Sequence, residues 1–299
     1  MAGPTNGKNP PDSELNFGLV TGQHWRSWQE IQEQWHWAEE TGWDSAWGFD
    51  HFFSLYDGDA GPCFDGWTLL AGLAPLTSRI QLGLMVTSIT HRLPSILAKQ
   101  AVTVDVMSGG RLILGVGAGW NAREHEAFGI DFPSPRERVD RFGEAMEIYR
   151  RLETEERATF EGDYYSVKDV PFEPKPVAGH IPVLIGSTGR RMMQHVARYA
   201  DQWDSGGTPQ ELLATGRQLN EICTEIGRDP HEIRWVLSTG GDPLESPSAF
   251  RDHVRPYAEV GVRSFFFDFP RGSATISMQE IAGEVIPALK EEFNYPRGE

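Results

Sequence analysis

The chain has 299 residues and a formal net charge of -16. That length allows one large domain or two small ones and a substantial buried core. So acidic a surface repels nucleic acid and anionic membrane, and no apolar run approaches the ~18 residues of a membrane span, so neither is an expected partner. Two cysteines, Cys63 and Cys223, sit in no CxxC pair and suit a cytoplasmic protein with free thiols. Ten tryptophans are many, and core packing is the commoner use of Trp, though a planar ligand would suit some of them.

Residues 1–14, rich in Pro and Gly with no basic stretch followed by an apolar run, predict a flexible tail, not a signal peptide. A first strand follows at 15–20. Residues 28–41 are helical, with Ile31, Trp35 and Ala38 on one face, and Gly42 fits the position past the helix end. A second strand at 43–48 leads into Asp50-His51-Phe52, and Asp65 caps an apolar helix over 67–76.

Residues 79–121 organise the rest. Two β-branched apolar runs, 80–86 and 112–116, flank a segment whose apolar residues Ile96, Leu97, Ala101, Val104 and Met107 recur at helical spacing. Strand, helix and strand within ~40 residues form a βαβ unit with parallel neighbours. Small and polar residues stand just past each strand: Thr87, Ser88 and Thr90 after the third, Gly117, Gly119, Trp120 and Asn121 after the fourth. A helix at 136–152 follows Pro135. Residues 159–176 break the rhythm as an aromatic, Pro- and Gly-rich excursion with a hairpin through 160–165. Strands at 181–185, 201–204, 234–237 and 263–267 then alternate with helices at 190–199, 209–226, 248–259 and 277–290.

Eight strands alternating with eight helices predict an α/β fold of the (β/α)8 TIM-barrel kind, one domain over 15–299 with an insertion at about 153–180 between strands four and five. An open doubly wound sheet is the competitor. In a parallel barrel, ligand chemistry gathers at the carboxyl ends of the strands, which is where the polar clusters fall.

Histidine titrates near neutrality, so His51 past strand two is a candidate proton donor or hydrogen-bond donor, against the plain alternative of a packed or capping His. The hydroxyls and amides of Thr87, Ser88 and Ile89 could take the polar edge of a ring, or simply make a turn. Gly115-Val116-Gly117-Ala118-Gly119-Trp120 is not a dinucleotide fingerprint, because Trp120 stands where the third glycine belongs; its glycines do let a flat ligand approach the backbone. Gly186-Ser187-Thr188-Gly189-Arg190 joins a strand to a helix and suits a phosphate, with an ordinary helix cap as the alternative. Arg123-Glu124-His125-Glu126 lacks metal-binding spacing and reads as a solvated helical turn.

Several pieces in order resemble the bacterial luciferase-like family of flavin- and deazaflavin-dependent oxidoreductases, over residues 15 to about 203. They are Glu40-Thr41-Gly42-Trp43-Asp44-Ser45 with Asp50-His51-Phe52, Arg79-Ile80-Gln81-Leu82-Gly83, Leu97-Ala98-Lys99, Ser108-Gly109-Gly110-Arg111-Leu112, the 115–120 run, Phe160-Glu161-Gly162, Pro174-Lys175-Pro176 and Ala197-Arg198-Tyr199-Ala200-Asp201. The resemblance implies a dimeric TIM barrel that transfers hydride on a small-molecule substrate. The stretches at 47–53 and 118–121 look like the branch using coenzyme F420, an 8-hydroxy-5-deazaflavin. FMN with oxygen and a separate flavin reductase is the alternative, and a barrel that binds flavin without turnover is a third. The resemblance further implies a bulge at 87–89 under the ring, often with a cis non-proline peptide, and His51 beside the reactive centre. It implies cofactor contacts from Asp50, Thr87, Ser88, Ile89, Gly119, Trp120 and Asn121, and a phosphate seat at 186–190. Trp47, Trp120 and Phe52 are expected to wall the pocket. Sugar-phosphate dehydrogenases of this branch carry an acidic residue where Trp120 stands, so a more apolar substrate is expected.

Overall fold

A computed structural model describes residues 14–55, 61–239, 243–271 and 274–293. The tail expected over 1–14 lies outside these residues, apart from Glu14, as do parts of the rim loops at 53–64 and 268–276.

In chain order the elements are β1 (Asn16–Val20), α1 (Trp28–Glu40), β2 (Ser45–Gly48), α2 (Gly66–Leu73), β3 (Gln81–Leu84), β4 (Thr87–Ser88), α3 (Pro94–Ser108), β5 (Leu112–Gly117), α4 (Ala122–Phe128) and α5 (Pro135–Thr154). Then come β6 (Arg157–Glu161), β7 (Ser166–Pro171), β8 (Val183–Gly186), α6 (Arg190–Tyr199), β9 (Gln202–Asp204), α7 (Pro209–Glu225), β10 (Arg234–Thr239), α8 (Pro247–Val260), β11 (Ser264–Asp268), α9 (Ile276–Glu280) and α10 (Ile286–Phe293). Every strand of the main sheet pairs in parallel with its neighbours, in the cycle β1–β2–β3–β5–β8–β9–β10–β11 and back to β1. The sheet is therefore a closed barrel, and the open doubly wound alternative falls.

Local chemistry sets the helix starts. Ser27 caps α1, its hydroxyl accepting from Glu30 N while Glu30 reaches back to Ser27 N. Asp65 caps α2 through Thr68 N at 2.8 Å, as expected. The closing helix is less regular than its periodicity predicts, because a π-helical turn, Ile281–Val285, separates α9 from α10. β6 and β7 form an antiparallel hairpin within the 153–180 stretch. Its turn is held by Glu144, whose carboxylate accepts from the backbone N–H of Asp163, Tyr164 and Tyr165.

Parallel strands are covered on both faces, so nearly every strand residue is buried and the split between faces has period two. Phe265 and Phe267 of β11 face the helices, whereas Phe266 points into the barrel with Val20, Trp47, Ile113, Leu184 and Val236. Trp47 was expected in the pocket wall. It is fully buried inside the barrel instead, its Nε1 donating to Ser45 Oγ at 2.9 Å. Glycine makes room for it: a Cβ on Gly83 would lie 2.5 Å from the Trp47 ring. This inner cluster plugs the barrel and forms the floor on which any ligand must sit.

Candidate active site

Above that plug, a cavity of about 660 Å³ opens at the carboxyl ends of the strands. Its floor is Val20, Val86 and Phe266. Asp50, His51, Thr87 and Ser88 line one side, Gly119, Trp120 and Asn121 the next, and Gly186, Ser187 and Thr188 the third. Ile89 does not join them. It is 2% exposed and packs in the core between strands and helices, because the alternation that turns Ser88 toward the cavity turns its neighbour away. Gly189 and Arg190 begin α6 outside the cavity wall.

The bulge is present, but two to three residues earlier than the resemblance implies. Gly83 lies opposite Ile113 and Thr87 opposite Val116, so four steps of the third barrel strand face three of its neighbour. The extra residue falls at 84–86, and the Met85–Val86 peptide is cis. Gly115 has a use the sequence did not disclose: any Cβ there would overlap Leu84 O, so this glycine admits the bulge and not a ligand.

His51 is the centre of the second-strand rim. Its Nδ1 is 2.8 Å from Glu124 Oε2, and Phe52 N donates to Glu124 Oε1 at 2.5 Å. Glu124 belongs to the short helix α4, capped by Asn121, whose Oδ1 accepts from Glu124 N. The turn expected to be solvated instead buries both Glu124 and His125 completely. Burial alone would raise the Glu124 pKa, but the His51 and Phe52 hydrogen bonds outweigh it and hold the carboxyl below its ordinary value. An ionised carboxylate can only accept, so Nδ1 is the protonated nitrogen of His51 and Nε2 is left for the cavity. The Trp120 ring stands edge-on to His51 at 5.8 Å, and Trp120 is 67% exposed, a wall at the mouth. Phe52 does not wall the cavity; it packs on His91 and Phe128.

Asp50 is structural more than ligand-facing. Arg92 grips both its oxygens, at 2.7 and 2.8 Å, Ser88 N donates at 3.3 Å, and His91 Nδ1 lies 3.3 Å away. Burial would raise its pKa, yet His91 and Arg92 hold it down at about 2. Two more of the expected contacts are similarly turned: Thr87 Oγ1 accepts from Trp67 Nε1, and the Asn121 side chain serves α4. A proton-ordered chain joins the third- and fourth-strand rims. His125 Nδ1 bonds the Asn121 carbonyl, which can only accept, and burial lowers its pKa toward the neutral ring. His125 Nε2 therefore accepts from the Thr90 hydroxyl at 2.6 Å, and Thr90 in turn accepts from Ser88 at 2.7 Å. A Cβ on Gly119 would lie 2.6 Å from Ser88 Oγ and 2.7 Å from Thr90 Oγ1, and its φ is +83°, so glycine is required there on two counts.

The opposite arc went unread in the sequence. Asp204, at the end of β9, accepts from Ser238 N and Ser238 Oγ, both at 3.0 Å. Its place deep in the barrel mouth pushes its pKa up to about 6 against those two bonds. Asp268 ends β11 at the same cavity. On the third side, Gly189 caps α6 without a side-chain bond, so no capping side chain takes up the N–H groups of the first turn. The missed residues Glu124, His91, Arg92, Asp204 and Asp268 come from four separate places in the chain. Only Glu124 had a local signal, the Asn-x-x-Glu pattern that starts a helix.

Comparison with known proteins gives a consistent family. The sequence profile described as luciferase-like monooxygenase matches residues 12–282. A protein of Kineococcus radiotolerans named F420-dependent glucose-6-phosphate dehydrogenase is 38% identical, covering 85% of this chain and 90% of its own. An uncharacterised protein of Mycobacterium tuberculosis is 32% identical over 70% of this chain and 71% of its own. Among solved structures, an F420-dependent secondary alcohol dehydrogenase in complex with an F420–acetone adduct superposes with a TM-score of 0.83 at 20% identity, covering 92% of this chain and 99% of that one. A monooxygenase from Streptomyces bottropensis does so with a TM-score of 0.76 at 20% identity, covering 92% and 100%. At that identity the two structures share the fold.

Proposed function

The chain belongs to the luciferase-like monooxygenase family, and we propose that within it this protein is a coenzyme F420-dependent oxidoreductase acting on a small organic substrate. The relatives bearing that cofactor's name, at 38%, 34% and 34% identity, support the reading. The observation that carries it is one cavity with a seat for a ring, a seat for a phosphate and, on the second-strand side, a histidine with one ring nitrogen left for a substrate. The residues fit such a group. A cavity of about 660 Å³ is within the usual range for a cofactor site. Gly117, Gly119 and Gly186 keep side chains out of it, and Val86 rises from the bulge as a floor. The uncapped N–H groups at the start of α6, with Ser187 and Thr188, suit a phosphate.

When bound, the deazaflavin supplies the acceptor or donor of a hydride to a substrate carbon. The protein supplies position and a proton. His51 Nε2 is the ring nitrogen left for the cavity, and it would hold the proton that leaves or joins the substrate oxygen. Glu124 holds the ring in that tautomer and steadies the imidazolium when the proton is on it. Trp120 covers one side of the mouth.

Titration of the purified protein with F420 and separately with FMN tests the reading, followed by absorbance or fluorescence. F420 should bind in the micromolar range or tighter and be reduced or oxidised in the presence of a suitable alcohol or carbonyl. Binding of FMN alone, with oxygen-dependent turnover, would transfer the case to the reduced-flavin monooxygenase. Tight F420 binding with no hydride transfer across a broad panel would favour the non-catalytic barrel.

A further inference from the structure

The cavity wall is one-sided in charge. Asp50, Glu124, Asp204 and Asp268 all contribute to it, and among the described residues no Lys or Arg does. Arg92 is committed to Asp50 and Arg191 to Asp140, while Arg26 donates to the carbonyls of Gly22 and Phe269 and lies close enough to Asp268 for its charge to act on that carboxyl. Asp50 and Glu124 are themselves matched by Arg92 and His51. Among the described residues Asp204 has no such match, and at Asp268 burial outweighs the opposing charge of Arg26. Among the described residues Asp204 receives two bonds from Ser238, and each carboxylate oxygen has more than one acceptor position, so it retains capacity toward the cavity. Gly186 stands beside it: a Cβ there would be 3.7 Å from Asp204 Oδ2 and from Val86, an ordinary contact distance, so the carboxylate lies directly against the 186 rim of the cavity.

We propose that the arc made by Asp204, Ser238 and Asp268 is a substrate-selecting wall, which accepts hydrogen bonds from an uncharged or cationic hydroxyl- or amine-bearing substrate and turns away anionic ones, sugar phosphates included. The assignment rests on the F420 reading, which places the cofactor over the bulge and along the 186–188 rim and leaves this arc to the substrate. There the start of α6 offsets one phosphate charge, but that offset is confined to the first turn of the helix. Away from that helix start, toward Asp204 and Asp268, an anion would meet two carboxylates in a partly desolvated mouth, where like charges repel far more strongly than in water. The wall thus argues for a more polar substrate than Trp120 alone suggested, and against the phosphorylated one in the names of several relatives.

A matched set that differs only in charge tests this: cyclohexanol, cyclohexylammonium and cyclohexanecarboxylate, titrated calorimetrically at pH 7.5 and low salt into the protein with and without F420. The carboxylate should bind at least ~10-fold more weakly than the alcohol, and the ammonium as tightly as the alcohol or tighter. Asp204→Asn keeps the size of the side chain and should shrink the carboxylate penalty severalfold. Asp268→Asn, on the outer side of the wall, provides the same measurement should the first variant fold poorly. A carboxylate that binds as well as the alcohol, a penalty unchanged in the folded variants, or no binding of any of the three overturns the wall. Failure of F420 to bind counts against the cofactor assignment alone, because the titrations without F420 still measure the wall.

Discussion

Two histidines of this barrel meet carboxylates at 2.8 Å, at opposite ends of the molecule, and only one is equipped to react. At the amino-terminal end, His180 puts Nδ1 on Glu153 at 2.8 Å and Nε2 on Asp201 at 2.9 Å. The same two carboxylates accept from Ile181 N and Val183 N, so the cluster pins the entry of β8 to α5 and to the start of β9. With both nitrogens engaged, and despite the burial that opposes it, the imidazole is pushed up to about 10 and stays a cation. At the carboxyl-terminal end, His51 spends one nitrogen on Glu124 and turns the other to a cavity. The difference teaches that a His–carboxylate pair is not in itself a site. A nitrogen left unengaged, facing space for a substrate, makes it one.

The comparison can be broken or sharpened by substitution. The largest effect is expected at His51. Replacing it with Ala should lower turnover ~10²–10⁴-fold, the usual worth of a positioned proton-transfer group, with the F420 dissociation constant changed little. Unaltered turnover would remove His51 from the chemistry and with it the contrast. Next comes Arg92→Ala, which strands the buried Asp50 charge. It should cost about 3–5 kcal/mol of stability by urea denaturation, since removing one partner of a buried pair leaves the other uncompensated. A loss under ~1 kcal/mol would mean that Asp50 is protonated or hydrated instead.

Glu124→Gln keeps the shape and removes the charge that fixes the His51 tautomer. Turnover should fall roughly 10–100-fold, by analogy with partners that orient metal-binding imidazoles. Undiminished turnover with normal folding would show that Glu124 only supports the loop. The smallest effect belongs to His180→Ala. Turnover should stay as it is, and stability should drop by about 1 kcal/mol, a figure discounted because the ring is half exposed. The folded pKa lies above the unfolded one, so the His180 contribution is complete below about pH 6.5 and is lost as pH rises through about 10. Urea midpoints of the wild type and the variant should therefore converge toward pH 10; a gap that widens with pH would contradict the clamp.

Much of this was legible in the amino-acid order, and the reason is local. Helix starts announced themselves through Asp65 and Pro135, and strands through runs of apolar residues, because capping and burial on both sheet faces act within a few residues of the chain. The β/α count follows from those elements, and in a parallel barrel the count fixes which strand ends share a rim. His51, Ser88, Gly119, Trp120 and Ser187 could be placed around one cavity on that basis alone.

What the chain order could not reveal is which polar atoms are already taken. Thr87 was legible as a rim hydroxyl, but its bond to Trp67, 20 residues away, was not. Asp50 looked like a ligand contact until Arg92 was seen holding it across 42 residues. Glu124 looked solvated until the fold carried His51 to it across 73 residues, and Trp47 looked like a pocket wall until the glycines of neighbouring strands admitted it to the barrel interior. Periodicity and caps depend on residues near in sequence, and they settle the architecture. Hydrogen-bond satisfaction, burial and charge matching depend on residues near only in space, so closure of the barrel decided which side chains are free to act.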